Sequence, residues 1–296
     1  MFIEIIAAKC MGDRMFNGTV MRYKEILAKK WWSLERFGLT PAKIRRRATN
    51  RDEPKIICIC IPKAGTHLLE RALCLHPRLY RKVVRTVTDR ILTKWGGLSN
   101  LLDALKPGQI LVSHLYFTPV RLRDIRSRGI KGIFIIRDPR DVLVSELFYI
   151  LKQKQHFLHK LFAQQADMMS CLKLAIRGNC SANFESICDM FFNYSGWLLS
   201  DFLIVRFEDL IGSYGGGKKT RQMNTLGSLF DFIGLSMIEE DLYSLSLRLF
   251  SNDSPTFRKG QIGGWKMYFT PEIKRLFKGV AGEPLIHYGY ENDDQW

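Results

Sequence analysis

One glycine-containing loop has the residues that hold a phosphate. The segment IPKAGTHLL, residues 61–69, follows a short apolar run and opens a predicted helix. Gly65 lets the backbone approach an anion closely, and Lys63 supplies a positive charge. The N–H groups of Thr66 and His67 point outward at the start of the helix. The Walker pattern GxxxxGK[ST] is absent, which argues against an ordinary ATP- or GTP-hydrolysing enzyme.

A second segment, IIRDPRDVLVS at residues 135–145, places polar side chains where another apolar run ends. Arg137 leaves the end of the run, and Ser145 lies about two turns along the next helix, so both would reach one phosphate. Asp138 suits the cap of that helix, and Pro139 suits its first turn. Such a strand-to-helix turn, taken alone, more often has a structural role. It indicates a binding site only because the phosphate-binding pattern of the first segment accompanies it.

A third segment, FRKGQIGGWKMYFT at residues 257–270, holds a compact basic loop of Arg258, Lys259 and Gly260. A solvated surface turn would have the same composition. The whole chain has a formal charge of +16, from 45 Lys and Arg against 29 Asp and Glu. This balance favours anionic partners and does not choose among nucleotides, nucleic acid, acidic glycans and membrane surfaces.

Four short apolar runs form the predicted frame for these residues. They are residues 56–61, 109–113, 132–136 and 202–207. Fully apolar strands that alternate with helices are typical of a parallel sheet covered on both faces. A helix over 66–75 follows the first run and ends at His76-Pro77. We therefore predict a three-layer α/β/α fold with a mainly parallel central sheet and a P-loop-like phosphate-binding loop after the first strand.

The chain divides by composition into two parts. Residues 1–54 are rich in Lys and Arg, and 21–37 can form a basic amphipathic helix that packs on the rest of the chain or contacts a membrane surface. Residues 55–296 carry the three segments and suffice for one catalytic domain. The sequence has no run of about 18 uncharged apolar residues and no recognisable signal peptide, so we expect a cytoplasmic protein without a transmembrane segment.

The three segments, in this order and spacing, resemble the signatures of the cytosolic-type sulfotransferases that use 3′-phosphoadenosine-5′-phosphosulfate (PAPS). The matching stretches read PKAGT, RDPRDVLVS and RKGQIGGWKMYFT, and the ending GYENDDQW resembles a common ending in that family. The resemblance runs from about residue 55 to residue 296, and 146–200 carry little of it. It implies in-line transfer of a sulfuryl group from PAPS to a hydroxyl or amine, with 3′-phosphoadenosine-5′-phosphate (PAP) as product and no metal.

The resemblance also assigns the cofactor contacts. The first loop would hold the 5′-phosphosulfate, with Lys63 stabilising charge on the bridging oxygen as the S–O bond breaks. Arg137 and Ser145 would hold the 3′-phosphate, and the basic loop of the third segment would close over it. The implied cofactor-binding residues are Lys63, Ala64, Gly65, Thr66, His67, Arg137, Ser145, Phe207, Arg258, Lys259 and Gly260.

The general base that the resemblance implies is a histidine just after a strand. The segment SHLYF, residues 113–117, matches this placement and makes His114 the candidate. An unperturbed imidazole titrates near neutrality, so it can accept the proton of the acceptor as the new bond forms. A lone histidine beside a strand is usually structural, and here the neighbouring motifs support a catalytic role.

Four positions depart from the family pattern. The usual serine of the first loop is Ala64, its second threonine is His67 and its following tryptophan is Leu68. A tyrosine common before Glu-Asp in the fourth strand motif is Phe207. Backbone contacts to the cofactor survive these changes. A hydroxyl contact, stacking on adenine and a phenolic hydrogen bond are not carried over.

Three other functions remain open on the sequence alone. A non-catalytic binder of 3′-phosphoadenosine nucleotides or acidic polymers would keep the phosphate loops without needing Lys63 and His114 in register. Nucleic-acid binding would suit the charge, but no recognised nucleic-acid motif accompanies it, and we predict no such partner. A kinase of related architecture lacks a Walker lysine and an evident magnesium-binding carboxylate pattern.

The sequence does not decide whether the acceptor is a small hydroxylated lipid, phenol or metabolite, or a saccharide. Its pocket would be built from 76–108 and 146–200. The aromatic residues that either line it or belong to the core are Phe148, Tyr149, Phe157 and Phe191.

Pro271 and Arg275 replace the Val and Glu of a short dimer motif common in the family, so that dimer is not predicted. The oligomeric state is otherwise open.

Overall fold

A parallel sheet of six strands forms the centre of the part of the chain that the structure describes. The computed structural model describes residues 52–82, 84–250 and 260–296. The predictions for the basic N-terminal extension, apart from its last three residues, and for Arg258 and Lys259 therefore lie outside the described residues. The strands are β1 (Ile56–Cys60), β2 (Tyr80–Arg81), β3 (Val87–Thr88), β4 (Gln109–His114), β5 (Lys131–Ile136) and β6 (Leu203–Arg206).

The strand order confirms the predicted sheet and adds two strands to it. The order is β2-β4-β1-β5-β6, β3 also pairs with β4, and every pairing is parallel. The four predicted apolar runs form β1, β4, β5 and β6. The sequence pattern does not predict β2 and β3, because two residues are too few to show a hydrophobic period.

Helices connect the strands and cover the sheet. They are α1 (Thr66–Leu75), α2 (Asp89–Leu92), α3 (Leu98–Asp103), α4 (Pro119–Arg126), α5 (Pro139–Lys152), α6 (His159–Ala163), α7 (Met168–Arg177), α8 (Ile187–Ser195), α9 (Phe207–Leu210), α10 (Lys219–Phe232), α11 (Glu239–Leu249) and α12 (Pro271–His287). The predicted helix over 66–75 is confirmed at both ends. Across the described ranges, none of these helices is long and apolar enough to cross a membrane.

Both faces of the sheet are buried, as the fully apolar strands predict. Every residue of β1 is buried. Ile57 and Ile59 pack into the apolar cluster that includes residues of α5, α7, α8 and α12. Ile56 and Cys58 point to the other face and pack with residues of α1, α10 and α11. This arrangement confirms the three-layer α/β/α fold.

The pairing register brings the predicted site residues to one edge of the sheet. Ile59 of β1 is paired with Ser113 of β4, and Cys60 is paired with Ile135 of β5. The carboxyl ends of these strands therefore lie side by side. This edge carries the loop after β1, His114 at the end of β4 and Arg137 after β5. Open α/β sheets bind their ligands at this edge.

Candidate active site

The loop between β1 and α1 is wound tightly enough to form an anion cradle. The amide of Ala64 donates to the carbonyl oxygen of Ile61 (3.0 Å), and Lys63 and Gly65 both have positive φ angles, of 65° and 109°. α1 begins at Thr66. The first N–H groups of an α-helix have no partner within the helix, so this turn presents donors to an anion.

Gly65 occupies a position where a side chain would not fit. A Cβ atom there would lie 2.7 Å from Cδ2 of Phe207 and 3.2 Å from Cδ1 of Ile135. Phe207, at the start of α9, is buried. The Phe207 ring therefore packs against the loop at Gly65. This contact does not need a hydroxyl group, so a phenylalanine can replace the tyrosine of the family pattern at this position.

Arg137 joins the three predicted segments. Its Nη1 donates to the carbonyl oxygen of Lys63 (3.4 Å), and its Nη2 donates to the carbonyl oxygen of Gln261 (2.9 Å). Its guanidinium carbon lies 4.2 Å from the centroid of the Phe207 ring. Its Nε is buried and has no hydrogen-bond partner among the described residues. Such an unsatisfied donor favours an anionic ligand at this point.

Asp141 anchors the third segment to α5 and was not predicted as a site residue. Its carboxylate accepts hydrogen bonds from the amides of Gly263 (2.8 Å) and Trp265 (2.9 Å). Burial raises the pKa of this carboxyl, and the Arg137 guanidinium, 3.7 Å away, opposes the rise. The signal in the sequence is the second acid of RDPRD, which follows the first by three residues.

Replacing Asp141 with asparagine is expected to destabilise the fold by about 2 kcal/mol, because one of the two buried amides would lose a charged acceptor. Urea denaturation followed by tryptophan fluorescence measures this loss. Asp231→Asn, on the exposed side of α10, is the matched control and should change the free energy of unfolding by less than about 0.5 kcal/mol. Equal stability of the two variants would contradict the anchoring role.

The C-terminal residues pack against the turn that carries the second segment. The side chain of Asp138 caps α5 and pairs with Arg140. The Arg140 guanidinium lies over the rings of Trp265 (4.2 Å) and Trp296 (4.4 Å) and pairs with Glu291 (2.6 Å). The GYENDDQW ending thus stabilises the turn from which Arg137 projects, a role that the spacing of short motifs does not predict.

Glu208 and Tyr290 complete this support. One carboxylate oxygen of Glu208 accepts from the amide of Asp138 (3.0 Å), and the other accepts from the phenol of Tyr290 (3.0 Å). Burial raises the pKa of Glu208, and these two hydrogen bonds act against that rise. The acid after Phe207 therefore fixes the α5 turn.

His114 has the geometry of a proton acceptor. Its Nδ1 lies 2.6 Å from the carbonyl oxygen of Cys60. A carbonyl only accepts hydrogen bonds, so Nδ1 carries the proton and Nε2 keeps its lone pair. Burial, with smaller contributions from the charges of His67 and Lys63, lowers the pKa of His114 to about 4, against the opposing effect of the Cys60 hydrogen bond. The ring is therefore neutral at physiological pH.

Two of the remaining predicted residues, Ala64 and Thr66, are buried, so their side chains support the loop from within. The other three are His67, Ser145 and Gly260. The ring of His67 lies with its Nδ1 3.7 Å from the Glu70 carboxylate. Ser145 lies on α5, and no hydrogen bond between described residues joins it to Arg137. Gly260 lies beside Gly215, and a Cβ on Gly215 would be 2.6 Å from its carbonyl oxygen.

A cavity of about 390 Å³ lies beside the phosphate loop. Pro62 of that loop and Tyr116, two residues after His114, contribute to its wall, and the other lining residues lie between 143 and 190. Of the four aromatic residues considered for this pocket, Phe157 lines it, whereas Phe191 is fully buried in the core. No described residue of 76–108 lines this cavity, and the contribution of that segment to the acceptor pocket stays a prediction.

The comparisons with known proteins agree with this geometry. The family described as "Sulfotransferase domain" matches residues 53–289. The chain is 26% identical to a 3-alpha-hydroxysteroid sulfotransferase of Cavia porcellus, over 83% of this chain and 88% of the relative. It is 26% identical to sulfotransferase 2A1 of Rattus norvegicus, over 79% of this chain and 85% of the relative.

Solved structures show the same fold. The mouse sulfotransferase SULT7A1 complexed with PAP superposes with a TM-score of 0.58 at 18% identity, covering 81% of this chain and 86% of that one. Retinol dehydratase in complex with androsterone and PAP gives a TM-score of 0.53 at 16% identity, covering 82% and 85%. The chain therefore belongs to the sulfotransferase domain family. This confirms the predicted family, the three-layer fold and the enzyme class, a sulfotransferase.

Proposed function

We propose that this enzyme transfers the sulfuryl group of PAPS to a hydroxyl of a small organic acceptor, with His114 as the general base. The observation that carries the proposal is the His114–Cys60 hydrogen bond, which leaves Nε2 as a proton acceptor at the edge of the sheet where the phosphate loop begins. The name of the Cavia porcellus relative, a 3-alpha-hydroxysteroid sulfotransferase, supports a small hydroxylated acceptor. The mainly apolar wall of the cavity, with Leu143, Leu147 and Ile150, suits such an acceptor better than a saccharide.

The residues present fit the co-substrate. A glycine that leaves no room for a side chain, a helix start and Lys63 suit the 5′-phosphosulfate. The buried Nε of Arg137, without a partner in the described structure, suits the 3′-phosphate. Arg258 and Lys259, outside the described residues, would add positive charge next to Gly260. Ser145 and His67 are proposed contacts on the basis of the family pattern.

Transfer would proceed by in-line displacement. The hydroxyl oxygen of the acceptor forms a bond to sulfur as the bond from sulfur to the bridging oxygen breaks. Nε2 of His114 takes the hydroxyl proton, and the ammonium of Lys63 stabilises the negative charge that develops on the bridging oxygen. The acceptor leaves as a sulfate ester, and the other product is PAP.

Calorimetric titration of PAP, adenosine-5′-phosphate and ATP tests the co-substrate site. We expect the protein to bind PAP at least tenfold more tightly than adenosine-5′-phosphate, because the 3′-phosphate gains charge-assisted hydrogen bonds. Arg258→Ala should reduce PAP affinity by about 30-fold, a loss of about 2 kcal/mol. Arg275→Ala removes the same charge from an exposed position on α12 and serves as the control.

Equal affinity for the three nucleotides would refute the PAPS site. PAP binding without any turnover of PAPS, with a broad set of phenols and alcohols as acceptors, would instead favour the non-catalytic nucleotide binder. The two results separate the binding function from the catalytic one.

A further inference from the structure

The cavity beside the phosphate loop has two carboxylates in an otherwise mainly apolar wall. Glu146 comes from α5, and Glu185 comes from the segment before α8. The cavity also meets Pro62, next to Lys63, and Tyr116, two residues after His114. It therefore extends away from the site of sulfuryl transfer, where the body of an acceptor would lie.

Neither carboxylate forms an ion pair with a Lys or Arg of the described residues. Two buried carboxylates elsewhere in the fold do form one: Glu70 pairs with Arg81 and Asp138 pairs with Arg140. The two cavity acids lack such a pair.

Glu185 is held in place by neutral donors. The phenol of Tyr116 donates to its Oε1, and the side-chain amide of Asn193 donates to its Oε2 (3.0 Å). Glu146 has no hydrogen bond within the described structure, and burial raises its pKa to about 7. The charge of Lys63 opposes this rise, and the charge of Glu185 adds to it.

The charge of Lys63 opposes the rise in the pKa of Glu146. The Nζ of Lys63 lies 4.1 Å from the centroid of the Tyr149 ring, one helical turn from Glu146 on α5. In the proposed function Lys63 neutralises charge on the phosphosulfate. Glu146, which is half-buried in the cavity wall, then has less compensation for its charge, and a desolvated carboxylate without a nearby cation is unfavourable. A positive charge on the acceptor would supply what Lys63 no longer provides.

We propose that the acceptor is a hydroxylated amine whose ammonium group binds between Glu146 and Glu185 while its hydroxyl faces His114. The inference rests on the proposed function, because it assigns the acceptor side of the same site. The hydroxyl reacts as described above and passes its proton to His114. The ammonium keeps its protons throughout and serves only for recognition.

A matched pair of phenols tests this assignment. Tyramine and 4-ethylphenol have nearly the same shape, and only tyramine carries an ammonium. Binding of each to the PAP-saturated full chain is measured by calorimetry, and turnover is measured with PAPS. We expect tyramine to bind at least tenfold more tightly and to have the higher kcat/KM.

Glu146→Gln should reduce this preference to less than about threefold through loss of tyramine affinity, with little change for 4-ethylphenol. Glu146→Asp retains the charge and should retain most of the preference, which separates a charge effect from a folding defect. Glu185→Gln should also weaken tyramine binding. Glu283→Gln, at an exposed position of α12, is the control and should behave as the unmodified chain.

Three binding results would overturn the inference while leaving the proposed function intact. These are equal binding of the two phenols, a tyramine preference that persists in Glu146→Gln, and failure of both phenols to bind a protein that binds PAP normally. Formation of the sulfamate of tyramine in place of its sulfate ester, detected by mass spectrometry, would also overturn it. Failure of PAP itself to bind would count against the proposed function instead.

Discussion

Replacing His114 with glutamine is expected to lower kcat for sulfuryl transfer by about 10³-fold, since a positioned general base contributes roughly 10² to 10⁴. The affinity for PAP should stay within about twofold, because the donor to the Cys60 carbonyl can be kept by the glutamine amide. Steady-state turnover of PAPS with a neutral phenol measures the first effect, and calorimetry measures the second.

The pH dependence of kcat/KM is an independent test of His114 as the general base. His114 accepts a proton only when it is neutral, and its pKa is about 4. The kcat/KM of the unmodified enzyme for a neutral phenol should therefore stay level from pH 7 to about pH 5 and fall as the pH approaches 4. A fall centred near pH 6.5 would show that the imidazole titrates as it does in water.

His159→Gln is the control for His114→Gln. The Nδ1 of His159 also lies against a backbone carbonyl, that of Ile150 at 3.0 Å, but His159 lies in α6, away from the sheet edge. It should retain nearly full turnover. A His114→Gln enzyme with the activity of the unmodified chain would exclude this histidine as the base, whatever the nucleotide affinity.

The sequence predicted best those features that depend on neighbouring residues. β1, the turn at Gly65 and α1 are contiguous, and their hydrophobic and glycine pattern specifies strand, turn and helix locally. The placement of Arg137 and His114 at strand ends follows from the same local pattern combined with parallel pairing. These were predicted correctly as positions, and their chemical roles remain proposals.

The features that the sequence did not predict depend on contacts between distant residues. Arg137 meets Gln261 across 124 positions, and Asp141 meets Gly263 across 122. Nothing in the local pattern of either segment specifies its partner. The acidic cavity is a similar case, because Glu146 looks like an exposed acid in an amphipathic helix until the fold places it in the cavity wall.

Replacing Gly65 with alanine is expected to destabilise the protein by about 3 kcal/mol and to weaken PAP binding at least tenfold. Two causes add: the residue has a φ of 109°, which costs a side chain about 1–3 kcal/mol, and the new Cβ would lie 2.7 Å from Phe207, which overpacks the site. Either the loop or the Phe207 ring must shift, and Arg137 stacks on that ring. Urea denaturation and calorimetry measure the two losses.

Gly279→Ala gives the matched control for a glycine that is not constrained. It lies within α12, and a Cβ there would have no atom within 4 Å, so alanine should leave stability unchanged or raise it by up to about 1 kcal/mol. Combining Gly65→Ala with Phe207→Leu should recover part of the lost stability, because it relieves the contact and not the backbone strain. If Gly65→Ala binds PAP as the unmodified chain does, the close approach of the backbone at this loop is not needed for phosphate binding.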